Sequence, residues 1–288
     1  MLLALLNLAH ADLNVVATLP DLAAVSQAVG GDHVKVTSMA LPTQDPHFVD
    51  AKPNLAVKLS KADALVHVGL EMEIGWLPTL VTGSRNKDVQ SGATGNIDCS
   101  QYVTVLDKPA GAVDRAMGDV HGQGNPHYFY DPRRMKDVAL GLADRFGQLD
   151  PEFAEVYTAN AQAFAADIDA HLPEWERRLA GYQGAPVIGY HRSWSYLADW
   201  IGFSVVGAVE PKPGIPPTPG HIAKTVNGAK ETGVQLVLIE SFYPATSASL
   251  VADKAEATLL TLTAGTDFPR QTYVAHIDAW VDSMEGAL

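Results

Sequence analysis

Residues 151–182 read PEFAEVYTANAQAFAADIDAHLPEWERRLAGY, and this stretch decides how the rest of the chain divides. Apolar side chains recur at three- and four-residue steps from Phe153 through Tyr157, Phe164 and Ile168 to Trp175 and Leu179. That spacing lays them along one face of an α-helix. Asp150-Pro151 supplies a start signal, and Gly181 and Gly184 supply a stop. Pro173 is expected to bend the helix rather than end it. At ~1.5 Å per residue the helix would span about 45 Å, more than the width of one lobe. It therefore reads as a strut between two halves.

Each half repeats strand, loop and helix. Before the strut, apolar β-rich runs predict strands at 14–19, 34–39, 64–68 and 102–106, with helices at 22–29, 53–62 and from 131 onward. After it, strands are expected at 186–190, 203–209, 234–240 and 259–262, with helices at 194–201, 221–232, 245–257 and 271–284. The alternation predicts an α/β fold: two Rossmann-like lobes with parallel sheets, joined by a single long helix. The expected divisions are 12–149, 150–183 for the linking helix, and 184–288. The run 210–220, EPKPGIPPTPG, reads as a stiff surface loop.

Composition narrows the function. The 288 residues carry 47% hydrophobic and 18% charged side chains, as soluble globular proteins do. A net charge of −13 argues against nucleic acid and anionic membranes as partners. The single cysteine, Cys99, excludes an internal disulfide and every cysteine-rich zinc motif. Residues 1–11, MLLALLNLAHA, resemble the end of a truncated signal peptide, with Ala9-His10-Ala11 as a small-x-small cleavage site. An exported, periplasmic protein without a lipid anchor is the expectation.

Two Pro-His turns, Asp45-Pro46-His47 and Asn125-Pro126-His127, each follow a loop and aim an imidazole from a stiffened backbone. A third histidine, His191, follows the strand expected at 186–190. One loop histidine is ordinarily a solvated residue. Three at strand ends point to a metal site, because ligands of such sheets gather at the carboxyl ends of the strands. Glu240 and Asp267 also follow strands. His33, His67, His171, His221 and His276 are read as structural.

These segments carry a resemblance. Asp45-Pro-His47 with Pro53 and Lys61-Ala-Asp63, Asn125-Pro-His127 with Tyr130-Asp-Pro132, Tyr190-His191 with Tyr196-Leu-Ala198, and Val237-Leu-Ile-Glu240 stand in the right order over nearly the whole chain. Together they resemble the cluster A-I solute-binding proteins of metal ABC transporters, the zinc and manganese group. The resemblance implies one cation in the cleft between two lobes, held by His47, His127 and His191, with Asp267 as the fourth ligand. It gives Glu240 a supporting place beside them. Family members often carry a long histidine-rich loop before the second ligand. Here 107–124 is short and holds only His121, which could capture metal in transit.

Three imidazoles and a carboxylate suit tetrahedral Zn²⁺, whereas Mn²⁺ prefers more oxygen. Manganese members of the resembling group tend to replace the third histidine with a carboxylate. The expected cargo is Zn²⁺, with a manganese or iron binder of the same fold as the alternative. A zinc hydrolase is the competing class, but the sequence has no His-Glu-x-x-His helix and no Gly-x-Ser-x-Gly elbow. The expectation is a non-enzyme, monomeric, serving a membrane ABC permease, with a metallochaperone as a further partner. Imidazole pKa values near ~6.5 predict that protons compete with the metal between about pH 7.5 and 5.

Overall fold

A computed structural model describes residues 12–111 and 121–287. The signal-like segment 1–11 lies outside the described residues. The N-terminal sheet holds β1 (Leu13–Ala17), β2 (Val34–Ser38), β3 (Ala64–His67) and β4 (Asn96–Asp98), all parallel, in the order β2-β1-β3-β4. The C-terminal sheet repeats the pattern with β5 (Pro186–Gly189), β6 (Ser204–Ala208), β7 (Leu236–Glu240) and β8 (Thr258–Leu262) in the order β6-β5-β7-β8. In each sheet the chain leaves the first strand for one edge and returns on the other side. This order reversal opens a crevice at the carboxyl ends.

Helix starts follow local chemistry. Prolines sit in the first turn of α1 (Pro20–Gly30), α2 (Pro53–Leu59), α3 (Leu77–Ser84) and α4 (Pro132–Leu149), where the missing N–H costs nothing. Asp131 caps α4 by accepting from Arg133 N–H. The strut is α5 (Ala154–Arg178), 25 residues with Pro173 inside it and short 3-10 turns at Pro151–Phe153 and Ala180–Tyr182. At ~1.5 Å per residue α5 is about 38 Å long. Asn160 near its start donates to Val29 O in the first lobe at 3.0 Å. Trp175 near its end packs edge-on against Trp200 of α6 (Ser195–Ile201) in the second.

The remaining helices are α7 (Pro219–Thr232), α8 (Ala245–Ala255) and α9 (Tyr273–Met284). One hydrophobic core runs through both lobes, from Leu22 and Phe146 to Trp194 and Trp280. Each lobe adds its own core on the outer face of its sheet, under α2 and α3 in one and under α7 and α8 in the other. Burying each Trp or Tyr contributes on the order of 2–3 kcal/mol, so the shared core favours lobes that are folded and joined without any ligand.

One expected strand is displaced. Residues 102–106 are half-buried and form no strand; β4 lies instead at Asn96–Asp98, inside a stretch that composition marks as polar loop. Ile97 is buried, while Asn96 Oδ1 accepts from His67 Nε2 at 3.0 Å and Asp98 caps the next turn through Ser100 N–H. A three-residue edge strand needs only one apolar side chain, too few to leave a periodic signal. Helix α3 has no counterpart in the expected elements either.

Candidate metal centre

The Asx-Pro-His sequence is a device for aiming an imidazole. Asp45 Oδ1 accepts the His47 backbone N–H at 2.9 Å and also faces His47 Nδ1 at 2.8 Å. Asn125 Oδ1 does the same for His127, at 3.0 Å to N–H and 2.8 Å to Nδ1. A side chain that bonds the backbone two residues on makes an Asx turn, and the intervening proline fixes φ. His191 is held differently: its Nδ1 lies 2.8 Å from Oε2 of Glu210, which follows β6. Tight packing behind it requires Gly189, where a Cβ would sit 2.4 Å from Trp194 and 2.8 Å from His191 O.

With each Nδ1 against an acceptor, the proton resides on Nδ1 and the Nε2 lone pair is free for a cation. His47, His127 and His191 are all buried, and their ligand atoms lie within 4.8 Å of one another. His121 approaches one of them: its Nε2 is 3.2 Å from His47 Nε2. Two ligands at ~2.0–2.1 Å from a tetrahedral ion stand roughly 3.3 Å apart, so this separation fits a shared cation.

The cluster favours neutral rings. Burial depresses His127 well below the usual imidazole range, and the neighbouring histidines depress it further. Burial lowers His121 to about 3, aided by His47 and His191. His191 is also lowered, chiefly by burial, with Glu210 opposing. Burial pulls Asp45 upward, but the hydrogen bonds and charge of His47 outweigh it and hold the carboxyl below its ordinary value.

Asp267 is not brought to this cluster. Its carboxylate is half-exposed and grips Arg270 through two contacts, at 2.9 Å to Nε and 2.8 Å to the terminal nitrogen. The neighbouring Thr266 is buried and turns toward Asp21 of α1, so the loop's inward-facing position is 266 and Asp267 faces solvent. Glu240 ends β7 fully buried, with neither carboxylate oxygen hydrogen-bonded. Burial raises it to about 8, and Asp45 and Glu210 add to the shift. A cavity of about 480 Å³ opens onto His121, His127 and His191.

Sequence reasoning did not single out Glu210, Asp45 or Asn125 as partners of the imidazoles. For Asp45 and Asn125 the signal was present, an Asx two residues before each histidine. Glu210 gave none, being the first residue of a proline-rich run. Cys99 is buried, and burial pushes its thiol well up, which suits a structural role.

Fold and site define a two-lobed binding protein with an imidazole-lined cleft. The chain belongs to the family described as zinc-uptake complex component A, periplasmic (ZnuA), whose model matches residues 15–287. It is thus a metal-binding solute-binding protein of the ABC transporter class, a transport family rather than an enzyme family. Members act outside the cytoplasm with permease components. It is 25% identical over 232 residues to the manganese-binding lipoprotein MntA of Halalkalibacterium halodurans, covering 80% of this chain and 71% of that one. It is 27% identical over 136 residues to the high-affinity zinc uptake system protein ZnuA of Brucella abortus, covering 47% and 41%. It shares the fold of a ZnuA deletion mutant with zinc bound, at TM-score 0.78, 22% identity, and 96% and 98% coverage. Relatives of both metals are therefore similar to this chain.

Proposed function

We propose that this protein captures Zn²⁺ in the cleft and delivers it to the permease of a zinc importer. His47, His127, His191 and His121 are the ligands in this reading. The supporting observation is the convergence of three buried imidazoles, each with Nδ1 tied to an acceptor so that Nε2 faces the others, with His121 Nε2 3.2 Å from His47 Nε2. A nitrogen-rich set favours zinc over manganese. Asp45 and Glu210 behind two of the rings supply two negative charges, which balance a dication bound to neutral imidazoles. The protein works as a periplasmic monomer, and a metallochaperone donates the ion.

Manganese or iron is the second reading, favoured by one observation: the buried carboxylate of Glu240 at the end of β7 has no hydrogen-bond partner on either oxygen. Competition titration of the metal-free protein tests the choice. Zinc should bind one per chain and displace manganese completely at equal concentration. Preferential retention of manganese would overturn the zinc assignment.

A further inference from the structure

The side chain of Asn125 touches both ligand-bearing lobes at once. Its oxygen faces the backbone and ring of His127. Its nitrogen donates to the carbonyl of Arg192, the residue after His191, at 2.8 Å, and to Asp107 Oδ2 at 3.0 Å, with Ser195 Oγ at 3.4 Å. The backbone carbonyl of Asn125 accepts from Tyr196 on α6 at 2.7 Å. Asn125 itself is 7% exposed; its bonds to His127 and from Tyr196 are buried and those from its nitrogen partly so, so breaking them leaves a shielded polar group short of a partner.

We infer that Asn125 is a positioning residue that fastens the His127 lobe to the His191 lobe and thereby sets how fast the cation leaves. The inference rests on the proposed metal-binding function. Its amide is the only side-chain group that hydrogen-bonds His127 Nδ1 on one side and the peptide beside His191 on the other, among the described residues. Separating the two lobes pulls the Asn125 amide away from Arg192, Ser195 and Tyr196 while its bond to His127 persists. An asparagine is suited to the task because it carries acceptor and donor on one rigid plane. An aspartate could serve His127 but not the Arg192 carbonyl or Asp107.

That difference gives the test a sign. In Asn125→Asp the new carboxylate keeps the acceptor for His127 and adds negative charge near the ion. If holding the ring were its whole role, zinc would leave more slowly. If it fastens the lobes, the carboxylate faces the Arg192 carbonyl and Asp107 with no proton to share, and zinc leaves faster. Stopped-flow release into a chelator should show an acceleration of about 10- to 100-fold, with the zinc X-ray absorption spectrum unchanged. Adding Asp107→Asn to Asn125→Asp restores a donor–acceptor pair of reversed polarity and should bring the rate back toward wild type. Should Asn125→Asp not fold, Asp107→Ala alone removes one acceptor of the Asn125 amide and should speed release several-fold. Wild-type or slower release in Asn125→Asp, or an earlier melt with unchanged release, overturns the inference. A wild-type protein that binds no zinc would instead overturn the metal reading beneath it.

Discussion

His191 Nδ1 and Glu210 Oε2 stand 2.8 Å apart, both side chains almost wholly buried. The bond fixes the ring's tautomer and turns its other nitrogen toward His47 and His127. Glu210 also accepts from Gly214 N–H at 3.4 Å, so the proline-rich loop after it braces the carboxylate. Replacing Glu210 with Ala should weaken zinc binding about 10- to 100-fold while leaving the number of ligands unchanged. Equal affinity by isothermal calorimetry would show that His191 needs no partner.

His121 and Asp267 make opposite predictions. His121→Ala should remove one imidazole from the zinc shell and speed release, because its Nε2 stands 3.2 Å from His47 Nε2. Asp267→Ala should leave affinity and release unchanged, since its carboxylate is engaged with Arg270 at the surface. X-ray absorption on both variants checks this. Loss of an oxygen ligand in Asp267→Ala would restore Asp267 to the site.

Much of this architecture is legible in the sequence. The strut, seven of the eight strands and their parallel pairing follow from periodicity and position, because long amphipathic helices and buried strands leave repeating marks. Asp267 misled because following a strand does not say which of two adjacent loop residues faces inward, and Thr266 takes that place. Glu210 was hidden because a proline-rich run looks exposed, and only the return of β6 beside β5 brings its first residue under His191. β4 was missed because a strand of three residues carries too little pattern.

The acid dependence of binding should begin lower than for free imidazole. His121, His127 and His191 are all depressed from their ordinary value, mainly by burial, so these three rings are already deprotonated in the metal-free protein at neutral pH. Zinc affinity should be flat from about pH 7.5 to 6.5 and fall only on further acidification. The metal-free fold should lose stability over the same acid range. There the unfolded chain takes up protons at ~6.5 that the folded chain refuses, which favours unfolding as pH drops. Calorimetric titration across the range checks both limbs. Steep loss of affinity already above pH 7 would contradict it.

Glu240 makes the opposite contribution. Its folded value is raised to about 8, so its protonated form stabilises the metal-free fold fully below the ordinary carboxylate range. That contribution is lost as pH rises through about 8. Glu240→Gln keeps a neutral side chain at every pH. The metal-free variant should match wild type near pH 5 and melt several degrees higher at pH 8. Parallel melting curves at both values would mean that Glu240 is not a buried titrating acid.

The central claim is a four-imidazole cleft that holds zinc, and zinc K-edge X-ray absorption on the one-to-one complex tests it most directly. The expected shell is four nitrogens at ~2.0–2.1 Å with strong imidazole scattering, one imidazole fewer in each of His47→Ala, His127→Ala, His191→Ala and His121→Ala. A five- or six-coordinate oxygen-rich shell, or a spectrum indifferent to these substitutions, would contradict it.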